Sequence, residues 1–172
     1  MSDLEPLRQR IDELDASIVK LLSERARIVQ DVGRVKRTDG TPVYAPHRER
    51  AVIEKIRSMN PGPLSGHTVE AIWRELMSGS FVLEQGLRIG YLGPQGSFSH
   101  VAATRHFGSS VDMVELPDID SVFTQVISGT ANYGLVPWEN SIVGGITDTL
   151  DAFVEHEAAV CAETLVEVTH CL

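Results

Sequence analysis

The sequence predicts an all-helical unit over residues 1–86 followed by a partial parallel-sheet α/β lobe over residues 87–172. Three observations predict this. Leu4, Leu7, Ile11, Leu14, Ile18 and Leu21 alternate steps of three and four, and Ile28, Val32 and Val35 continue the series, the seam of an amphipathic or coiled-coil helix. At Gln85-Gly86 that period stops. Beyond it, strand-like runs at 87–92, 111–116 and 132–137 alternate with helical patterns at 98–107 and 119–128, the order of a mostly parallel sheet with helices on its faces.

The first helix is expected over about 3–37, with Ser2 or Asp3 as N-cap and Pro6 in the first turn. At 1.5 Å per residue it is about 50 Å long, too long to bury its stripe on a short hairpin, so a partner chain is expected. The step from Leu21 to Ile28 lands on Arg25, a cation on an apolar seam. A buried guanidinium without a partner costs several kcal/mol, so the position points to an anion. Lys36 follows eleven residues later, about 20° round the helix, which puts both cations on one inward face. Gly33, unfavourable inside a helix, is read either as a close-packing position or as a tolerated surface glycine. Thr38-Asp39-Gly40-Thr41-Pro42 makes a turn. A second helix fits 46–59 and ends at Asn60-Pro61-Gly62-Pro63. The third spans about 65–84, with Val69, Ile72, Trp73, Leu76 and Leu83 turned inward and Ser80 and Glu84 four apart on one face.

A net charge of −9 argues against non-specific nucleic-acid binding but not against a small anion, which reads local charge. No apolar run reaches the roughly 18 residues of a membrane span, and Met-Ser-Asp-Leu-Glu is no secretory signal. Cys161 and Cys171 form neither a metal spacing nor a disulfide framework. Cytoplasmic residence with free thiols is the expectation.

Leu-x-x-Leu-Arg8, Leu-Leu-Ser-Glu-Arg25, Val-Gly-Arg-Val-Lys36 and Arg48-Glu49, with Ser80 and Glu84 on the third helix, together resemble the all-helical chorismate mutase family. Arg8 and Arg25 are seventeen residues apart, about 25 Å on one helix, so they cannot both hold one small metabolite from the same helix. The resemblance implies an intertwined homodimer with two sites, each completed by Arg8 of the partner subunit. It implies a Claisen rearrangement of chorismate to prephenate that needs no cofactor or metal. Arg8, Arg25 and Arg48 would bind the two carboxylates, Lys36 would donate to the ether oxygen, Glu49 would take the hydroxyl, and Ser80 a carboxylate or the surroundings of that hydroxyl. Glu84 would face the ether oxygen. Because an ionised Glu84 would repel charge developing there, it is expected to act as a protonated donor, with activity falling as pH rises toward neutrality. Some relatives are acidic where this chain has Ala45.

In the second half, Gly93-Pro94-Gln95-Gly96-Ser97-Phe98-Ser99-His100 follows a strand and opens a helix, a place where backbone N–H groups favour an anion. A second strand end, Val136-Pro137-Trp138-Glu139-Asn140-Ser141, precedes Gly144-Gly145 and a helix at 147–154. The two loops are expected to face one crevice at the carboxyl ends of the strands. Together these segments look like the prephenate dehydratase family. The order of the halves is similar to the bifunctional chorismate mutase/prephenate dehydratase family of L-phenylalanine biosynthesis, in which prephenate loses water and carbon dioxide to give phenylpyruvate. The resemblance implies a lobe of periplasmic-binding-protein type, with Glu139, Asn140 and Ser141 near the prephenate cleft and Ser97 or Ser99 on the facing loop. His100 and His106, on a helix face, are set aside as acids. Residues 165–172 read as a strand, and the Thr-Arg-Phe motif, the rest of the second lobe and the phenylalanine-sensing ACT domain do not follow, so a truncated dehydratase half is expected. The alternative is a non-catalytic helical dimerisation module with a ligand-sensing α/β lobe, in which Arg25 and Lys36 pair with carboxylates of their own chain. An isochorismate–pyruvate lyase is a further rival.

Overall fold

The computed structural model describes residues 4–142 and 144–168. Helices α1 (Leu4–Asp39), α2 (Pro46–Met59) and α3 (Gly66–Glu84) come first. They are followed by β1 (Arg88–Leu92), α4 (Phe98–Phe107), β2 (Asp112–Leu116), α5 (Ile119–Ile127), β3 (Tyr133–Leu135), β4 (Glu139–Asn140), β5 (Gly144–Gly145) and α6 (Thr147–Glu155). The expected N-cap of α1, Ser2 or Asp3, lies outside the described residues.

At 36 residues α1 runs about 54 Å. The residues of α1 that lose exposure are Leu22, Arg25, Ala26, Val29, Gly33 and Lys36, the face turned to α3. This is the inward face of Arg25 and Lys36 read from the sequence, and the apolar stripe lies beside it. Leu4, Leu7, Ile11, Leu14, Ile18, Leu21, Ile28, Val32 and Val35 are all exposed, and every residue from 4 to 21 is. Among the described residues of one chain, none covers this leucine seam. The covering face lies one step round the helix and is built on small residues. At Gly33 a Cβ would fall 2.8 Å from the Cα of Glu84, so any side chain there would force α1 and α3 apart. Glycine lets the two backbones meet, and one turn further on this brings Lys36 within reach of Glu84.

α2 begins at Pro46 behind Ala45, which caps it with no side-chain acceptor and only its carbonyl, at 2.9 Å from the Arg48 N–H and 3.1 Å from that of Glu49. α3 starts at Ser65, whose hydroxyl accepts from the Thr68 N–H at 3.1 Å. It buries Val69, Met77, Ser78, Ser80, Phe81 and Glu84, whereas Ile72 and Leu83, expected inside, are 44% and 40% exposed. α3 packs against α1, α2 and α4 at once, so its inward set is wider and more polar than one apolar stripe predicts.

The sheet is parallel with strand order β2-β1-β3, and β4 and β5 form a separate antiparallel ribbon. One hydrophobic core runs across residue 86: Val43, Tyr44, Ile53, Met77 and Phe81 pack with Leu87, Ile89, Phe107 and Val111. A second cluster of Ile119, Phe123 and Ala152 holds α5 to α6. The helical half and the sheet are also clamped at the turn after α4. Glu75 accepts from the backbone N–H and the hydroxyl of Ser109, each at 2.9 Å, and the Ser78 hydroxyl accepts from the Ser110 N–H at 3.0 Å. Gly108 sits in that turn at φ +78°, and a Cβ there would fall 2.5 Å from the Ser78 Cβ, so no other residue fits the dock.

The expected terminal strand does not form over residues 165–168, and residues 169–172, which hold Cys171, lie outside the described residues. Among the described residues no helix is long and apolar enough to cross a membrane.

Candidate active site

Arg25 and Lys36 both face α3, as their angular spacing requires. Arg25 is half-buried; its Nη1 donates to the Ser80 hydroxyl at 2.8 Å and reaches the Leu76 carbonyl at 3.5 Å. Ser80 in turn donates to the Leu76 carbonyl at 2.6 Å, which fixes the hydroxyl as an acceptor for the guanidinium. Both of Arg25's partners are neutral, and among the described residues no carboxylate pairs with it. Beside it, between α1 and α3, opens a cleft of about 330 Å³ lined by Val19, Leu22, Arg25, Leu76, Ser80 and Leu83.

One turn along α3, about 6 Å from Ser80, stands Glu84. Its carboxylate accepts from Lys36 Nζ at 2.7 Å, and Lys36 also donates to the Val43 carbonyl at 3.0 Å. A carboxylate at the C-terminal end of a helix opposes the helix dipole. Lys36 offsets that, and Arg37 donates to the Glu84 backbone carbonyl. In this structure Glu84 accepts from Lys36, and a ligand's ether oxygen would have to take the ammonium from it. The rival reading has Lys36 and Arg25 paired with their own chain's carboxylates; Lys36 is so paired and Arg25 is not.

The structure gathers Arg25, Lys36, Ser80 and Glu84 along the contact of α1 with α3, while Arg8, Arg48 and Glu49 are not among the partners of these four. Arg8 is exposed in the first turns of α1, 3.9 Å from Glu5. Arg48 is exposed on α2. Glu49 is buried between α2 and α3, with Oε2 3.5 Å from Arg74 Nη1. Helix periodicity turns one residue of the Arg48-Glu49 pair out when the other turns in.

Burial pushes the Glu49 carboxyl up to about 7 from its ordinary 4.5, against the pull of the Arg74 guanidinium. Because the folded form holds its proton more tightly than the unfolded chain, this group's stabilisation is complete below about pH 4.5 and lost as pH rises through about 7. The loss is up to about 3 kcal/mol. Glu49→Gln removes that slope. Calorimetric melting at pH 5 and pH 8 should show the gap between the two Tm values shrinking by several degrees in the variant, at about 2–4 °C per kcal/mol for a chain of this size. An unchanged gap would show that Glu49 is not the titrating group.

Sequence reasoning missed the cluster around Glu49. Tyr44 is hydrogen-bonded to His106 Nε2, burial raises the tyrosine's pKa, and burial followed by the nearby Arg74 charge lowers that of His106. A signal existed in Glu70 and Arg74, four apart on α3 and 3.5 Å from each other in the fold.

In the α/β half, β1 and β3 are parallel neighbours, so the segments after Leu92 and after Leu135 leave the same edge of the sheet. Ser97 is the N-cap of α4: its hydroxyl accepts from the His100 N–H at 3.2 Å and donates to the Leu92 carbonyl at 3.1 Å. Ser99 is buried in α4. Glu139 and Asn140 form β4 and are exposed, as is Ser141; Asn140 Oδ1 accepts from the Ile142 N–H at 2.9 Å. Buried Thr149 donates to the Pro137 carbonyl at 2.7 Å and pins this loop to α6.

A long helix crossed by α3, with Lys36 paired to Glu84 and Arg25 bonded to neutral oxygens at the crossing, precedes a parallel sheet. Residues 7–85 match the family model of chorismate mutase type II, and residues 89–172 match that of prephenate dehydratase. The chain belongs to these two families, one in each half. A bifunctional chorismate mutase/prephenate dehydratase of Stutzerimonas stutzeri is 44% identical over 98% of this chain and 48% of its own length. The protein of the same name from Aquifex aeolicus is 36% identical over 98% of this chain and 48% of its own length. The chain thus spans about half the length of the curated relatives it matches. A chorismate mutase structure from Thermus thermophilus covers 49% of this chain and 96% of its own, with 34% identity and a TM-score of 0.48.

Proposed function

We propose that the helical half catalyses the rearrangement of chorismate to prephenate as a homodimer, and that residues 87–172 carry part of a prephenate dehydratase lobe of periplasmic-binding-protein type, in cytoplasmic L-phenylalanine biosynthesis. The observation that carries the mutase reading is Arg25: a half-buried cation beside an open cleft, bonded among the described residues only to neutral oxygens. A dianionic substrate supplies the counter-charge that the described chain does not.

The rearrangement breaks one carbon–oxygen bond as a carbon–carbon bond forms, with no nucleophile and no change in atom count. Catalysis then comes from holding a compact conformer and from donors aimed where charge develops. In this reading Arg25 grips a carboxylate with Ser80 beside it. Lys36 leaves Glu84 for the ether oxygen as that oxygen gathers negative charge. The partner subunit's Arg8 closes the site, which accounts for the bare N-terminal half of α1. Arg48 swings in from its exposed position to a carboxylate, and Glu49 takes the hydroxyl. In the second half, Glu139, Asn140 and Ser141 would meet prephenate at the sheet edge, with Ser99 and the capped Ser97 on the neighbouring loop.

Incubating the purified protein with chorismate and identifying the product tests this. Prephenate supports it and pyruvate indicates a lyase. Absence of turnover favours the interaction module, for which the Lys36–Glu84 pair speaks.

A further inference from the structure

Arg74 lies outside the residues assigned above, yet its guanidinium joins three elements. Nη1 is 3.5 Å from Glu49 Oε2 on α2 and 3.2 Å from the His106 carbonyl, which accepts from it in the last turn of α4. Nη2 is 3.5 Å from Glu70 Oε1 one turn back on α3. Glu49 is only 8% exposed, and its second oxygen, Oε1, is buried with no hydrogen-bond partner among the described residues. A buried acceptor left without a donor costs about 1–3 kcal/mol, more when charged, so an orphan in a folded chain asks for an explanation. A clamp lies beside it: Glu75, the next residue of α3, and Ser78, one turn on from Arg74, hold the backbone of Ser109 and Ser110 just beyond α4.

We infer that Arg74 is a positioning residue for the mutase site: it grips one oxygen of Glu49, is itself anchored on α4, and so leaves the other oxygen ready for the substrate's hydroxyl. The inference rests on the chorismate reading above. It makes the α/β half a structural contributor to the helical site, because the His106 carbonyl that holds Arg74 belongs to that half. A hydroxyl contact made equally in the ground and transition states affects KM rather than kcat.

The test uses the full chain and chorismate, with Arg74→Gln, Arg74→Lys, Glu49→Gln and the Arg74→Gln/Glu49→Gln double variant, each checked for a cooperative melt. Arg74→Gln should raise KM about tenfold with kcat within about twofold of wild type. Arg74→Lys, which keeps the charge but loses the fork, should raise KM by a smaller factor. In the Glu49→Gln background the Arg74→Gln change should add nothing, because the two act as one unit. Additive penalties, or a fall in kcat at constant KM, would overturn the inference. If Arg74→Gln does not fold, an unchanged KM in Arg74→Lys overturns it and a raised KM supports it. A wild type that makes no prephenate removes the mutase reading and this inference together, whereas a wild type that makes prephenate with additive variants removes the inference alone.

Discussion

On the proposed mutase reading, Lys36→Ala should lower chorismate turnover by about 10²–10³-fold, the usual cost of removing one donor aimed at developing charge. Lys36 is well placed for that loss. Its ammonium is held by Val43 and Glu84, and its side chain is 24% exposed, so it is partly desolvated and oriented before any ligand arrives. The same substitution strands the Glu84 carboxylate, which is 9% exposed at its side chain, and removing one partner of a buried pair is destabilising. Stability and turnover must therefore be read separately. The Lys36→Ala/Glu84→Gln double variant removes the stranded charge, so its melting temperature should recover toward wild type while turnover stays low. Recovery of turnover along with stability would show that Lys36 serves the fold and not the reaction. Glu84→Gln alone replaces a carboxylate with an amide that can donate to an ether oxygen, and its activity at pH 8 should equal or exceed that of wild type.

If the protein is the proposed homodimer, charging the exposed stripe of α1 should dissociate it. Leu14→Asp with Ile18→Asp places two carboxylates in the bare series that begins at Leu4, where the wild-type side chains are 51% and 52% exposed. Helices in proteins draw most of their stability from packing an amphipathic face, so the stripe is expected to meet another surface. Each large apolar side chain fully covered there contributes about 1.5–3 kcal/mol. Equilibrium sedimentation should find a dimer for wild type and a monomer for the variant. Turnover should fall about 10–100-fold with it, since one arginine's charge-assisted bonds to a carboxylate are worth about 1.5–3 kcal/mol. A monomeric variant with full turnover would show that the site is complete within one chain and that Arg8 has no part in it.

What the sequence made legible follows from how locally each feature is determined. α2 and α4 begin and end at the positions expected, because Pro46, Asn60, Ser97 and Gly108 act on their own neighbours. The shared facing of Arg25 and Lys36 was readable from helix geometry alone. Which face of α1 is covered was not: an apolar stripe states that cover exists, not whose it is, and the face that α3 takes is marked only by Ala26 and Gly33. The docking contacts of Arg74, Glu75 and Ser78 are not legible in the sequence, because they are made to residues 106–110 and nothing in one sequence announces that pairing. Residues 165–168 fail to form a strand for a similar reason, since a strand is defined by the neighbour it bonds and its pattern alone supplies none.

α3 serves as a party wall. Ser80 and Glu84 look toward α1, while Met77, Ser78 and Phe81 are fitted against the far side of residue 86. Scissors applied to the gene at that residue would bare an oily, glycine-matched surface, and a freestanding mutase made from this chain would first need that flank redressed in polar side chains.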